Sequence, residues 1–198
     1  LQLCVINFQS KNHLRCLGAR PAHEQRILRL WSQAKSQNSG SRPLESFMPA
    51  ALRQALPQLT DSLSNLLRLQ STHPAEDGSV RWLLALQDGQ TVETVGLPRD
   101  GVCVSSQVGC AVGCVFCMTG KEGLIRQVGS AEIVAQVAFA RLHRAVKKVV
   151  FMGMGEPAHN LDNVLEAIEV LGTVGNIGHK SLVFSTVGDS RVFERLPL

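Results

Sequence analysis

The chain has no tyrosine, and aromatic residues make up only 5% of its 198 positions. Binding a nucleic acid by stacking bases on successive rings is therefore a poor reading of it. Long apolar runs are absent too, and none approaches the roughly 18 residues of a membrane span. The opening LQLCVINFQSKNHLR carries no basic stretch ahead of its apolar residues, so a secretory signal is not expected there. Leu1 in place of an initiator Met reads as a processed or incomplete start. Charged residues are few, at 18%, with 20 basic against 16 acidic side chains and a net charge of +4. That balance permits a polyanionic partner such as RNA without demanding one. Apolar residues are plentiful, at 44%, so the chain can bury a real core and is not disordered overall.

The six cysteines are unevenly placed: Cys4, Cys16, Cys103, Cys110, Cys114 and Cys117. Small secreted domains spread their cysteines through a loop-rich fold as a disulfide framework. Here four fall between positions 103 and 117 in a chain with ample core residues. This clustering points to a reducing compartment and to a metal or redox site; Cys4 and Cys16 read as unremarkable.

Hydrophobic spacing divides the chain. From Ala22 the pattern AHEQRILRLWSQA sets Ile27, Leu28, Leu30 and Trp31 on one helical face. Residues 36–43, SQNSGSRP, read as a polar linker. Two short helices are expected at 49–56 and 61–69, the second capped by Thr60 or Asp61. The period then changes. SVRWLLALQ and TVETVGL flank Asp88-Gly89, a hairpin signal. VCVSSQV is a short β-branched run, and 109–128, with its cysteines and glycines, reads as a loop. Ser130 is the expected cap of the helix AEIVAQVAFARLHRA. The strand KKVVFMG, the turn GEPAHN, the helix LDNVLEAIEVL closed by Gly172, and the strand SLVFST follow. VGDSRVFERL begins a further unit. Alternating strands and helices with short loops imply parallel βα units, and three strands are too few to close a barrel.

The strongest chemical signal is Cys110-Ala-Val-Gly-Cys114-Val-Phe-Cys117, a C-x3-C-x2-C. Thiolates are soft ligands suited to iron–sulfur clusters and zinc. Three on one loop, with Gly109, Gly113 and Gly120 allowing it to wrap a bulky group, suit a cubic cluster with one iron left open. Zinc with Cys103 as a fourth ligand is the alternative. The second signal is Met152-Gly153-Met154-Gly155-Glu156-Pro157, directly after a strand. Read alone, Gly153-x-Gly155-x-x-Ala158 fits a dinucleotide fingerprint, with Asp189 as the ribose acid. Pro157 and the upstream cysteines suit that poorly. The basic run His143, Arg144, Lys147 and Lys148 reads as a solvated helix end, while Lys121 and Arg126, beside the cysteine loop, are the better phosphate candidates.

The cysteine spacing on a loop after the first strand of a βα array resembles the radical SAM superfamily. CVSSQVGCAVGCVFCMTGKEG, MGMGEPAHNLDNVLEAI and STVG together resemble the RlmN/Cfr family of radical SAM RNA methyltransferases over roughly 80–190. FMPAALRQALP is similar to that family's front module. The resemblance implies an α/β fold: a partial (βα) radical SAM barrel of three units over 99–198, behind a helical N-terminal domain (1–78) and a β-hairpin (79–98). It also implies a [4Fe–4S] cluster on Cys110, Cys114 and Cys117, and S-adenosylmethionine against Gly155, Glu156 and Ser185. The implied substrate is an adenosine ring carbon, C2 before C8, in 23S rRNA or tRNA. The family's scheme carries the methyl on a late cysteine, with Cys103 as the resolving thiol and Glu93 as proton acceptor. An external flavodoxin-like electron donor, a cytoplasmic location, a monomer and no membrane contact are further implications. STVG stands where STSG is expected. None of the six cysteines is placed to carry the methyl, so the chain is expected to be truncated and inactive alone. Another radical SAM enzyme, a zinc-stabilised RNA-binding module and a nucleotide-dependent oxidoreductase are the competing functions.

Overall fold

A computed structural model describes residues 14–195; Cys4 lies outside them. Helix α1, Pro21–Ser32, forms as its spacing predicts, with Ile27 and Leu30 buried. The polar stretch after it does not hang free. Gln37 is buried, and the Arg26 guanidinium donates to the Arg42 carbonyl at 2.6 Å and the Gln37 carbonyl at 3.2 Å. A short α2, Leu44–Phe47, leads to α3, Ala50–Ser64.

Helix α3 corrects the expectation of two helices at 49–56 and 61–69. It runs straight through Pro57, because Leu52, Leu56, Leu59 and Leu63 form one buried stripe. Pro57 sits on the exposed face, where water can serve the carbonyl that loses its partner. Asp61 is thus mid-helix rather than a cap. Residues 67–69 are not helical at all: they open the edge strand β1, Leu67–Pro74, whose mostly polar sequence gives no alternation to read.

Strands β2, Val80–Leu86, and β3, Thr91–Leu97, form the hairpin signalled by Asp88-Gly89, antiparallel and with Ala85 opposite Thr91. Asp88 accepts the Gln90 N–H at 3.0 Å, and Gly89 takes φ 85°. Strand β4, Gly101–Val104, pairs antiparallel with β3. Beyond it the chain leaves the sheet. In place of one continuous loop over 109–128, β5, Gln107–Gly109, and β6, Leu124–Gln127, form a small antiparallel ribbon with the cysteines at its tip.

Helix α4, Ser130–His143, is capped by Gly129, not Ser130. The Glu132 carboxylate accepts the Gly129 N–H at 2.8 Å, while the Ser130 hydroxyl donates to Glu166 at 2.7 Å. Strand β7, Lys148–Phe151, helix α5, Leu161–Thr173, strand β8, Leu182–Phe184, and the short α6, Ser190–Arg195, complete the order. Helix α5 continues one residue past Gly172, the expected stop. As expected of βα units, β4, β7 and β8 are parallel, and the six-stranded sheet runs β1-β2-β3-β4-β7-β8.

One core joins both ends of the chain. It takes Ile27 and Leu52 from the front helices, Leu84, Val92, Val102 and Phe151 from the sheet, and Ile133 and Leu171 from α4 and α5. The helical front packs against α4 and the end of α5: Arg141 donates to the Ser32 carbonyl at 2.6 Å and Gln33 to the Val174 carbonyl at 2.9 Å. No helix among the described residues is long and apolar enough to cross a membrane.

Candidate active site at the ends of the parallel strands

Side chains alternate across a strand, so the helix-packed face fixes the identity of the other. Val102, Val104, Val149 and Phe151 belong to the core under the helices; Cys103 and Val150 do not, and they pair in register on the opposite face. On β3, Val92, Thr94 and Gly96 are buried while Glu93 and Val95 alternate outward, and Val95 lies opposite Cys103. Glu93 and Cys103, far apart as sequence signals, therefore share one sheet face on neighbouring strands. Burial pushes the Cys103 thiol up from its usual pKa, partly offset by a hydrogen bond from the Met152 backbone. The Glu93 carboxylate accepts from Arg81 at 2.9 Å across the hairpin and stays partly exposed.

Past β4 the chain is bent and held by buried amides. Gln136, within the apolar run of α4, accepts the Ser105 N–H at 2.8 Å and donates to the Ser105 carbonyl at 2.9 Å. Asn160 donates to the Ser106 and Val128 carbonyls, both at 2.7 Å. Strand β5 then meets the turn that follows β7. The N–H groups of Ser106 and Gln107 both donate to the Met154 carbonyl, at 2.9 and 3.1 Å. The buried Gln107 side chain accepts the Glu156 N–H at 2.8 Å and donates to Gln127 at 2.9 Å. Ser105 links the same turn to β3: its hydroxyl accepts the Met154 N–H at 2.9 Å and donates to the Glu93 carbonyl at 2.5 Å.

Gly155 is required by this closeness. Its φ is 99°, and a Cβ there would lie 2.5 Å from the Gln107 Cβ. Glu156 is 4% exposed, and its carboxylate faces the protein, accepting the Ala158 and Val187 N–H groups, each at 3.0 Å. It thereby ties the β7 turn to the STVG segment after β8. Ser185, at the head of that segment, is half-buried, and its N–H reaches the Phe151 carbonyl at 3.4 Å.

The cysteine loop is more open. Cys110 is buried, and its N–H donates to the Gly123 carbonyl at 2.9 Å; Cys114 and Cys117 are half-buried. Gly109 is needed where the ribbon closes, since a Cβ would fall 2.1 Å from the Gly123 oxygen. Val115 and Phe116 project into solvent at 103% and 88% exposure. The Thr119 hydroxyl and backbone, with Gly120, draw the Cys117 thiol below its usual pKa. Among the described residues no three His, Cys, Asp or Glu side chains are gathered closely enough to hold a metal ion. The donor set nevertheless fits an iron–sulfur cluster: three thiols within eight residues on an exposed, glycine-containing loop.

Two other sequence readings are settled against. The Asp189 carboxylate, held well below the usual range, is taken by the Arg191 guanidinium and N–H, so it is not a free ribose acid. Arg126 is not a free phosphate ligand either. Its guanidinium donates to both Glu132 oxygens at 2.9 Å and to Asp88 at 2.5 Å. Sequence reasoning missed Gln107, Gln136 and Asn160. The signal for Gln136 was available: an amide in an otherwise apolar helix face needs a buried partner.

Comparison with known proteins agrees with this arrangement. Residues 104–196 match the model described as "Radical SAM superfamily". The chain is 72% identical over 189 residues to a probable RNA methyltransferase of Methylibium petroleiphilum, covering 96% of this chain and 53% of the relative. It is 71% identical over 184 residues to one of Azoarcus sp., covering 93% and 53%. The chain thus spans about half the length of the curated relatives it matches. A crystal structure of a radical SAM methyltransferase from Sphaerobacter thermophilus superposes with TM-score 0.70 at 31% identity, covering 90% of this chain and 54% of that one. The cysteine loop and the glycine turn both fall within the matched stretch, so the chain carries a radical SAM domain over residues 104–196.

Proposed function

We propose that the protein is a radical SAM methyltransferase acting on an adenosine ring carbon, C2 before C8, in 23S rRNA or tRNA. The observation that carries this reading is the bolting of the cysteine ribbon to the Gly153–Glu156 turn through Gln107, with Glu93 and Cys103 on the adjoining sheet face. An adenine ring carbon is neither acidic nor usefully nucleophilic, so the hard step falls to a cofactor that the protein orients.

Cys110, Cys114 and Cys117 would hold the [4Fe–4S] cluster, which when bound supplies the single electron for cleaving S-adenosylmethionine. Gly155 lets the turn pack directly on Gln107, and Glu156 keeps it rigid by accepting the Ala158 and Val187 N–H groups. Ser185 closes the same end of the sheet. Burial raises the pKa of the Cys103 thiol, which suits a resolving thiol that must stay unreactive until the carrier cysteine is beside it. Glu93, oriented by Arg81, would accept a proton lost from the ring. The methyl-carrying thiol of the two-stage scheme has no candidate after Cys117 in this sequence. A cytoplasmic setting and an external one-electron donor follow from the same reading.

The relatives named as probable RNA methyltransferases support the substrate class. The test is nucleoside mass spectrometry of RNA after anaerobic incubation, with reductant and S-adenosylmethionine, of a protein that joins this chain to the later cysteine-bearing part its longer relatives have room for. Methylated adenosine is expected, and its absence in cluster-loaded protein contradicts the assignment.

A further inference from the structure

Three of the four basic residues that read as a solvated helix end, His143, Arg144 and Lys147, line a cleft. Lys35, which follows α1, comes together with Arg141 and His143 from the last turn of α4, and with Arg144 and Lys147 from the segment leading into β7, around a volume of about 520 Å³. The cleft lies at the start of β7, whereas Gly153 follows its end, so about 13 Å of strand separates the two.

Its cations are incompletely neutralised. Lys147 pairs with Asp100 at 2.7 Å. Arg141 is partly buried, and among the described residues its guanidinium has a hydrogen bond to the Ser32 carbonyl at 2.6 Å but no carboxylate. Burial without an anion lowers its pKa. Among the described residues Arg144 reaches only the Gly78 carbonyl, at 3.4 Å, and Lys35 only the Gln33 amide oxygen, at 3.0 Å. The nearby Asp77 is occupied by the Ser79 N–H and hydroxyl. The C-terminus of α4 offers about half a negative charge, which one or two cations complement. It does not account for Lys35 and Lys147, which arrive from other segments. Desolvating a guanidinium without a counter-charge is costly, so an anion in the cleft would relieve a cost the fold now carries.

We propose that this cleft docks the phosphodiester backbone of the RNA substrate, away from the reacting end of the sheet. The proposal rests on the RNA reading of the function. Open, with cations spread along two segments, the cleft suits a run of phosphates better than one enclosed anion.

Anisotropy titrations of a labelled single-stranded RNA across a salt series test it. Lys35→Gln/Arg144→Gln is expected to weaken binding about tenfold at low salt and to reduce the slope of log Kd against log salt by about 1.4. Arg68→Gln, on the far edge strand, is expected to change neither. Lys35→Glu, at an exposed side chain, gives the same direction of change should the double variant fail to fold. Unchanged affinity and slope in these variants overturn the proposal, as does an equal loss in Arg68→Gln. Displacement of the RNA by inorganic phosphate at constant ionic strength assigns the cleft to a free phosphate and also overturns it. The titrations need no metal. A chain that binds RNA through the cleft but takes up no iron sinks the radical reading and leaves the cleft; a chain that takes up iron but ignores these substitutions does the reverse.

Discussion

The two loops that carry the site are built in opposite ways. The Gly153–Glu156 turn is locked by the protein itself: the Met154 carbonyl accepts the Ser106 and Gln107 N–H groups, Gln107 accepts the Glu156 N–H, and the Glu156 carboxylate is spent on two more. The Cys110–Cys117 loop is anchored at its base by Gly109 and the Cys110 N–H, while its tip holds Val115 and Phe116 in solvent. A turn that must present fixed backbone is preorganised by a buried network. A ligand loop whose order comes from the group it binds needs only correct donors and a hinge at its base.

Substitutions can break or sharpen that contrast. The largest effect is expected from Cys114→Ala, which removes one thiolate and should abolish iron uptake on anaerobic reconstitution. Its unfolding midpoint should stay close to the parent's, since the side chain is only half-buried. Next comes Gly155→Ala. A left-handed φ of 99° together with a 2.5 Å approach to Gln107 should cost about 2–4 kcal/mol in urea unfolding. The counterpart in the open loop, Gly113→Ala, has φ 69° and empty space around its Cβ, so only about 1 kcal/mol is expected. Equal costs at the two glycines would erase the distinction. Glu156→Gln keeps one acceptor oxygen for two N–H donors and should cost about 1–2 kcal/mol. Under native conditions iodoacetamide should alkylate Cys103 more slowly than Cys114 or Cys117, because its thiol is buried and its pKa raised.

The smallest effect concerns the ribbon's outer brace. Arg126 holds the Asp88 carboxyl below its ordinary pKa, so this pair stabilises the fold above that ordinary value and loses its contribution as pH falls through the native one. Asp88→Asn should therefore cost less than about 1 kcal/mol at neutral pH, given the partial exposure of the pair, and nothing in strong acid.

The parts of the fold legible in the sequence were those with strong local signals. Asp88-Gly89 named its hairpin, the apolar period named α1, and the strand–helix rhythm named the parallel β4-β7-β8 order. Local rules failed where a distant surface decided. Pro57 reads as a break, yet the leucine stripe of α3 had a core to bury against. Strand β1 has no alternation because it is an edge held by β2. The site followed the same logic. The cysteine spacing and the glycine turn were visible because their chemistry is local. Gln107, which joins them, was invisible because a buried amide declares its purpose only when its partner, 49 residues away, is beside it.

The central claim is that Cys110, Cys114 and Cys117 together hold an iron–sulfur cluster with one open iron. Metal and acid-labile sulfide analysis of the anaerobically reconstituted chain tests it most directly, with an electron paramagnetic resonance spectrum taken before and after S-adenosylmethionine is added. The account predicts iron and sulfide in equal amounts and a spectrum that changes on addition; zinc, or no metal at all, would contradict it.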